Sequence, residues 1–336
     1  MRACYIERYG GPAQLRIGER PLPQPGPREA LIRVRAAGLN PVDFKTRQGQ
    51  VKILLPYRMP QILGNELCGD VVEVGAEVRR VRAGDRVAAR VAKLSAGAFA
   101  EYAVVPEALL VPVPASVGDI DAAALPLAGL TAWQCLYEVL RVSPGQRVLI
   151  HAGAGGVGHL AVQLAKQMGA VVAVTASASR FDFLRGLGAD ELVDYRNERF
   201  EERIAPVDAV LDTQGGDVLL RSIAHTRKGG AVVTIGGLPT PEVADDFDKP
   251  FWIKWLFALI SRRERALAKA RGVRFRYWFM RPDGVQLADL FGRVERGELK
   301  ISAQAIDGIE QFPQAFAALE AGHTLGKLVV RMAQPG

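Results

Sequence analysis

Residues 1–120 alternate apolar and polar positions with a period of two. In Ala30–Ala37 aliphatic side chains alternate with arginine, and Cys68–Gly75 and Asp85–Val91 repeat the pattern between turn signals rich in glycine and proline. Such alternation is typical of strands that bury one face. It predicts a β-rich region over the first third of the chain.

The second part of the chain changes to short apolar runs separated by helical segments. Val148–Ile150 and Val171–Val174 have the length and composition of buried strands. Between them, apolar residues recur at helical spacing from Leu160 to Met168. Further strand-like runs follow at 192–195, 209–213, 231–235 and 273–280. Six strands alternating with helices predict an α/β domain with a doubly wound parallel sheet of the Rossmann type.

The turn after the first of these strands carries glycines in the pattern G-x-G-x-x-G, at Gly153, Gly155 and Gly158, with a further one at Gly156. In this pattern the first glycine allows a tight turn, the second lets a pyrophosphate approach the backbone, and the third lets helix and strand pack closely. The strand and helix on either side make a dinucleotide site the favoured interpretation. The alternative is a glycine-rich turn in a doubly wound domain that binds no dinucleotide.

The end of the second strand indicates which dinucleotide would bind. An NAD site places a carboxylate there, roughly 20 residues after the glycine motif. This chain has Thr175–Arg180 instead. The segment contains small hydroxyl side chains, that of Ser177 among them, and one guanidinium, that of Arg180. That composition suits a 2′-phosphate, so the sequence predicts NADPH, unless Arg180 is simply a solvated residue at a helix start.

The change of pattern predicts two domains: residues 1–121 with 298–336, and residues 122–297. Within the second domain, the segment 240–271 is longer than an ordinary connection between a strand and a helix. It contains an apolar stretch followed by a basic one. We consider a membrane-surface helix, or a helix that covers the active site or a subunit interface.

Composition narrows the class of protein. The formal net charge is +7, but lysine and arginine are scattered, so no nucleic-acid stripe is predicted. The three cysteines form neither a disulfide framework nor a metal knuckle, which favours a reducing compartment, and we expect a cytoplasmic location. The sequence has no secretory signal pattern, and no apolar run reaches about 18 residues, so no membrane span is expected.

Motifs of a known family are spread over nearly the whole chain, in Gly38–Lys45, Leu63–Val72, Ala124–Trp133, Ala154–Gly158, Gly188–Asp190, Asp194–Tyr195 and Gly326–Val330. Together they resemble the medium-chain dehydrogenase/reductase family, in its zinc-independent branch of quinone oxidoreductases and enone reductases. The resemblance implies a GroES-like catalytic domain beside the Rossmann domain, a homodimer, and NADPH-dependent hydride transfer to a quinone or to the activated C=C bond of an enone or alkenal.

The zinc-dependent relatives of this family place metal ligands near three positions that are Asn40, Asn65 and Leu127 here. None of these side chains is a thiolate or an imidazole, the usual ligands of catalytic zinc, and Glu66 alone does not hold a metal. The resemblance therefore predicts no metal site.

The resemblance also implies roles for single residues. Asn40 is expected at the nicotinamide ribose or the substrate oxygen, or else as a turn residue before proline. Tyr57 is expected to line the pocket or donate a proton, or else to be packed in a loop. Thr131 is expected near the nicotinamide, and Lys327 is expected to balance phosphate charge unless it is solvated. The other expected cofactor contacts are Gly153, Gly155, Gly156, Val157 and Gly158 at the pyrophosphate, Ser177, Arg180 and Tyr195 at the 2′-phosphate, and Gly215, Ile235, Phe279 and Met280 at the ribose and nicotinamide.

Two alternative functions stay open. One is a reductase of enoyl thioesters. The other is a catalytically weak, nucleotide-sensing or RNA-binding relative, which the basic charge motivates.

Overall fold

A computed structural model of the chain describes residues 1–322 and 324–332. The chain divides into two compact units. Unit 1 contains residues 1–130 and 281–336, and unit 2 contains residues 131–280.

Strands dominate unit 1, whereas strands and helices alternate in unit 2. The strands are β1 (Arg2–Ile6), β2 (Arg16–Glu19), β3 (Glu29–Leu39), β4 (Gln61–Ile62), β5 (Glu66–Val74), β6 (Arg86–Arg90), β7 (Tyr102–Pro106), β8 (Val111–Pro112), β9 (Arg147–Ile150), β10 (Val171–Ala176), β11 (Glu191–Asp194), β12 (Val207–Asp212), β13 (Thr226–Thr234), β14 (Arg274–Tyr277), β15 (Ala303–Asp307) and β16 (Lys327–Arg331). The helices are α1 (Pro41–Arg47), α2 (Asp119–Ala124), α3 (Pro126–Trp133), α4 (Gly158–Gln167), α5 (Phe181–Gly186), α6 (Phe200–Arg203), α7 (Gly216–His225), α8 (Pro241–Asp246), α9 (Phe251–Ile260), α10 (Arg262–Arg271), α11 (Gly284–Glu295) and α12 (Phe312–Glu320).

The main sheet of unit 1 has seven strands in the order β15-β16-β3-β5-β6-β8, with β7 also paired to β3. Most of its pairs are antiparallel, as the two-residue alternation in the sequence predicts. A second sheet has the order β2-β1-β4. The core beneath them includes Phe99, whose ring stacks on Phe312 at 4.3 Å and meets Phe316 edge-on at 5.9 Å.

Unit 2 is built on a six-stranded parallel sheet in the order β11-β10-β9-β12-β13-β14. The order reverses between β9 and β12, which is the doubly wound arrangement. Its central strands are fully buried because helices cover parallel sheets on both faces, and Leu149, Ala173 and Val210 are each 0% exposed. The α/β fold class predicted from the sequence is confirmed.

The observed division of the chain lies at 130/131 and 280/281, not at the predicted 121/122 and 297/298. The difference has a local cause. Helix α2 packs on β3 and β5, and helix α11 packs on β8, so both helices join the β-rich unit. The predicted limits of the domains stay a prediction.

The long connection at 240–271 folds into the three helices α8, α9 and α10, and leads into the edge strand β14. Among the residues that the structure describes, no helix combines the length and apolar character needed to cross a bilayer.

Candidate functional site

The glycine turn between β9 and α4 has the geometry that close packing requires. A Cβ atom on Gly153 would lie 2.0 Å from Val174 Cγ1, and one on Gly158 would lie 2.4 Å from the carbonyl oxygen of Ala152. Gly153 and Gly158 are therefore needed by the fold. Ala152, in the same turn, has a φ of +50°, a conformation that non-glycine residues rarely adopt and that clusters at functional sites.

Gly155 differs from the other two glycines of the motif. A Cβ atom there would meet one atom within 4 Å, the Ala152 carbonyl oxygen at 3.3 Å, a tight contact but a much less severe one than those at Gly153 and Gly158. Within the described chain, the amides of Gly156 and Val157 donate no hydrogen bond. Free amides at a helix N-terminus are the donors that a pyrophosphate needs. The residues present fit a dinucleotide.

The other predicted contacts of unit 2 lie just beyond the carboxyl ends of the parallel strands, the edge at which open α/β sheets bind ligands. Asp212, at the end of β12, organises part of this edge. Its carboxylate accepts hydrogen bonds from the amide of Gly215 at 2.9 Å and the hydroxyl of Thr234 at 2.6 Å. The amide of Ile235 donates to the Asp212 carbonyl oxygen at 2.9 Å. Gly215 has a φ of +71°, which favours glycine there.

The remaining predicted contacts of this unit are placed by β14 and α3. Phe279 and Met280 follow β14, and the Phe279 ring meets Phe247 edge-on at 5.1 Å. Thr131 is 4% exposed, within α3.

The residues predicted at the 2′-phosphate lie at the ends of β10 and β11. The pairing of Ala176 with Asp194 puts Ser177 and Tyr195 at neighbouring strand ends, and the amide of Tyr195 donates to the Ala176 carbonyl oxygen at 3.3 Å. Arg180 ends the short 3-10 turn that follows Ser177.

The sequence interpretation missed a second cation here. The guanidinium of Arg196 lies 5.8 Å from the centre of the Tyr195 ring. Its position one residue after a predicted contact, at a strand end, is the signal that would have identified it.

Unit 1 contains a buried polar network around Glu66. One carboxylate oxygen of Glu66 accepts from Asn40 Nδ2 at 2.7 Å and from Lys327 Nζ at 2.6 Å. The other accepts from the amide of Leu127 at 2.6 Å, at the N-terminus of α3. Lys327 Nζ also donates to Asn40 Oδ1 at 2.5 Å and to the Leu39 carbonyl oxygen at 2.8 Å. Glu66, Asn40 and Lys327 are at most 3% exposed.

Strand register brings these distant residues together. Leu328 on β16 pairs with Leu39 on β3, so Lys327 lies beside Asn40, while the pairing of Ala37 with Leu67 on β5 brings Glu66 alongside. The neighbouring Gly38 allows the approach, since a Cβ atom there would lie 2.6 Å from the Ala123 carbonyl oxygen and 2.5 Å from Glu66 Oε1.

The predicted role of Lys327 in balancing phosphate charge requires correction. Its ammonium is buried and donates to three oxygen atoms of its own unit. One of them belongs to the buried carboxylate of Glu66, whose charge would otherwise be uncompensated. It is not a solvated lysine either. Both polar ends of Asn40 are used in the same network, so the predicted contact of Asn40 with the nicotinamide ribose or substrate stays a prediction.

A second carboxylate, Asp43, lies next to this network. It accepts from the Asn40 amide at 2.7 Å and from Asn65 Nδ2 at 2.6 Å. Burial raises the pKa of Asp43 to about 7, although the hydrogen bonds from Asn65 and Asn40 oppose the shift. The Oδ1 atom of Asn65 is buried with no hydrogen-bond partner among the described residues.

Tyr57 is 8% exposed, and its hydroxyl donates to the carbonyl oxygen of Lys93 at 2.6 Å. Burial raises the pKa of the Tyr57 hydroxyl to about 12. This geometry favours a packed loop tyrosine over a proton donor.

The structure also bears on the metal question. In the part of the chain that it describes, no three His, Cys, Asp or Glu side chains are grouped so as to hold a metal ion. Burial raises the pKa of Cys68 to about 12, so this thiol is a poor source of a thiolate ligand.

Comparison with known proteins identifies the family. Residues 26–115 match the family described as alcohol dehydrogenase GroES-like domain, and residues 187–330 match the one described as zinc-binding dehydrogenase. The chain is 33% identical over 340 residues to the chloroplast envelope quinone oxidoreductase homolog of Arabidopsis thaliana, covering 98% of both chains. This chain belongs to the quinone oxidoreductase family of medium-chain dehydrogenases/reductases. The recognition made from the sequence motifs is confirmed.

Solved structures of this family agree with the fold. The quinone oxidoreductase from Coxiella burnetii is similar with a TM-score of 0.87 and 34% identity, over 99% of each chain. A mycobacterial protein solved in complex with NADPH has a TM-score of 0.83 and 30% identity, over 98% of this chain and 100% of its own. The predicted Rossmann domain with a GroES-like domain is therefore confirmed. The Arabidopsis relative is named for the chloroplast envelope, so the predicted cytoplasmic location stays a prediction.

His151, which adjoins the glycine turn, has a structural role in this member of the quinone oxidoreductase family. It is 1% exposed, and its ring nitrogens lie 3.0 Å from Thr175 Oγ1 and 2.8 Å from Ser222 Oγ. Burial, with a smaller contribution from the charge of Arg221, lowers the pKa of His151 to about 3, while Glu201 opposes the shift. The imidazole is therefore neutral in the folded protein at neutral pH.

We expect His151 to make the folded state sensitive to acid. The unfolded chain binds this proton below about pH 6.5 and the folded chain does not, so its stabilising contribution is complete above pH 6.5 and falls as the pH decreases towards 3. The slope is about 1.4 kcal/mol per pH unit. Urea denaturation of wild type and His151→Gln should show a difference in free energy of unfolding that shrinks on acidification. The raised pKa of Asp43 makes its contribution to stability change with pH in the opposite direction, so the difference between wild type and variant is the informative quantity. A difference that does not depend on pH would contradict a buried, neutral His151.

Proposed function

We propose that this protein is an NADPH-dependent reductase of quinones or of the activated C=C bond of enones and alkenals, and that it works without a metal ion. The observation that carries the choice of cofactor is the end of β10, where Ser177 and Arg180 stand and the usual carboxylate of an NAD site is absent. A carboxylate at that place repels a 2′-phosphate, whereas a guanidinium binds it through charge-assisted hydrogen bonds.

Unit 2 would hold the dinucleotide along the carboxyl edge of its sheet. The amides of Gly156 and Val157 would bind the pyrophosphate at the N-terminus of α4, and Ser177, Arg180 and Tyr195 would surround the 2′-phosphate. Arg196 adds a second cation near Tyr195. The bound nicotinamide supplies the hydride, and the protein orients it and keeps water away.

The absence of metal chemistry is supported by the donor set of unit 1. Asn40, Asn65 and Leu127 offer no thiolate or imidazole, and the carboxylate of Glu66, which accepts from Asn40 and Leu127, is bound by the ammonium of Lys327. A divalent cation beside Glu66 would face that ammonium at close range, which disfavours binding electrostatically. A quinone or an enone suits such a protein because its own carbonyl group activates the carbon that receives the hydride.

The resemblance also supports a homodimer. In unit 2, β14 is the last strand of the sheet and pairs on one side with β13. An exposed strand edge is a ready surface for pairing with a second copy.

Turnover tests this proposal. Purified protein should oxidise NADPH in the presence of quinones or alkenals, at a rate that a zinc chelator does not change, and more slowly with a crotonyl thioester. A faster thioester reaction would favour the enoyl-thioester reductase. If none of these acceptors supports the oxidation of NADPH, the protein is not such a reductase.

Arg180→Ala tests the choice of cofactor. Because Arg180 is partly exposed, losing one charge-assisted contact should weaken NADPH binding about ten-fold and leave NADH binding unchanged. Fluorescence titration with both cofactors measures this. Arg185→Ala is the matched control, because Arg185 pairs with Asp182 on the surface of α5. Equal affinity of the wild type for NADPH and NADH would contradict the assignment.

A further inference from the structure

Helix α9 presents an apolar face to the solvent. Its exposed large side chains recur at spacings of three and four residues, which places them along one side of the helix. Phe251 is 77% exposed and Trp255 is 74% exposed. The full set is Phe251, Trp252, Trp255, Leu256, Leu259 and Ile260. An exposed apolar surface of this kind marks an interaction site.

The opposite face of α9 fixes the helix to unit 2. Ile253 and Phe257 are each 3% exposed, and α9 packs on α8. Lys254 forms an ion pair with Asp245 of α8 at 2.7 Å. At the end of α9 the hydroxyl of Ser261 donates to the Phe257 carbonyl oxygen at 2.6 Å. The helix has already buried one face, so the aromatic face cannot turn inward without losing these contacts.

Helix α10 follows α9 after Ser261 and is strongly basic. It carries five cations and one carboxylate, that of Glu264. Arg262, Arg263, Arg265 and Lys269 are exposed and form no ion pair within the described chain. The sequence shows an apolar segment followed by a basic one, and the structure adds that both are exposed on consecutive helices.

We propose that α9 and α10 form a docking surface for an anionic lipid bilayer. The Trp and Phe side chains of α9 would enter the region between headgroups and acyl chains, where amphipathic aromatic rings are favoured, and the cations of α10 would contact the anionic headgroups. The apolar stripe is parallel to the helix axis, so α9 lies in the plane of the membrane.

A second copy of the chain fits this surface less well. In a twofold contact the same patch meets itself, so an interface centred on α9 would bring two copies of α10 to its rim. The unpaired cations of the two copies would repel each other, whereas a bilayer with anionic lipids supplies the opposite charge. Charge complementarity therefore selects the membrane over a dimer.

Cosedimentation with vesicles tests the proposal, and it needs neither cofactor nor turnover, so its failure is distinct from failure of the proposed reductase function. The wild-type protein should sediment with vesicles of phosphatidylserine and phosphatidylcholine, and much less with phosphatidylcholine alone. Added salt should release it, because the attraction is electrostatic. Failure to bind the anionic vesicles at low salt would overturn the proposal.

Two variants separate the contributions of the helices. Arg262→Gln with Arg265→Gln should weaken the partition coefficient about five-fold for each charge removed. Trp252→Ser with Trp255→Ser should weaken it at least ten-fold, by about the transfer free energy of the lost rings. Leu22→Ser, at a side chain that is 54% exposed, and Arg28→Gln with Arg82→Gln are matched controls on unit 1 that should leave binding unchanged.

The same variants decide between a membrane and a second copy. If the double tryptophan variant binds vesicles normally but changes from dimer to monomer in sedimentation equilibrium, α9 is a subunit interface and the proposal is wrong. Wild-type tryptophan fluorescence offers a measurement that does not depend on a variant folding. It should be quenched by lipids brominated near the headgroup, and an absence of quenching in anionic vesicles overturns the proposal.

Discussion

Lys327→Met should destabilise the protein by about 3–5 kcal/mol, the largest loss of folding free energy expected here from one substitution. Lys327 is 3% exposed and its ammonium is the cationic partner of Glu66, which is fully buried. Methionine keeps most of the side-chain volume and removes the charge. The carboxylate of Glu66 then stays in a dry environment with only two neutral donors, Asn40 and Leu127. Urea denaturation followed by circular dichroism measures the loss.

A double-mutant cycle shows whether the ion pair is responsible. Glu66→Gln alone leaves the Lys327 ammonium uncompensated and should also be strongly destabilising. Together with Lys327→Met it removes both charges, so the double variant should be more stable than the sum of the single losses predicts, by a coupling of about 1–3 kcal/mol. Losses that simply add would show that the two side chains act separately. Lys166→Met, which breaks a half-exposed ion pair with Asp190, is a control expected to lose about 1 kcal/mol or less.

Gly155→Ala should weaken NADPH binding about 100-fold while leaving the free energy of unfolding nearly unchanged. The added methyl group meets only the Ala152 carbonyl oxygen in the turn, at 3.3 Å, a tight contact that a shift of a few tenths of an ångström relieves. It would occupy the surface that the pyrophosphate must approach, and the loss of one charge-assisted contact, about 1.5–3 kcal/mol, accounts for a decrease of this size. Fluorescence titration with NADPH and urea denaturation measure the two quantities on the same preparation.

Gly158→Ala makes the same chemical change three residues later. It should mainly lower the free energy of unfolding, whereas Gly155→Ala should mainly weaken NADPH binding. Its methyl group would lie 2.4 Å from the Ala152 carbonyl oxygen and 2.6 Å from Gly153 Cα, so the turn must shift. We expect a loss of about 1–3 kcal/mol in stability. If Gly155→Ala keeps wild-type affinity for NADPH, the pyrophosphate does not bind at this turn.

The doubly wound unit could be read from the sequence because its signals are local. The apolar run at Val148–Ile150, the glycine turn and the apolar run at Val171–Val174 lie within 27 residues, and each reports its own backbone conformation. The absence of a carboxylate at the end of β10 is equally local. The nucleotide edge and its expected selectivity therefore follow from neighbouring residues.

The surroundings of Lys327 could not be predicted in this way. Its partners Glu66 and Asn40 are 261 and 287 residues away in the chain, and only the pairing of β16 and β5 with β3 brings them together. A single lysine near the end of a chain gives no indication of such a pairing, so the sequence suggested phosphate contact or solvation. The packed position of Tyr57 depends in the same way on a distant carbonyl group.

The sequence by itself determined the fold class and the glycine turn, because periodicity and residue type at fixed spacing are written in consecutive positions. Tertiary structure alone decided which charges are paired and which apolar surface is left uncovered. Helix α9 shows the reason most clearly, since nine of its ten residues are apolar and their spacing distinguishes no face. Packing against α8 buries Ile253 and Phe257 and thereby exposes Trp252 and Trp255.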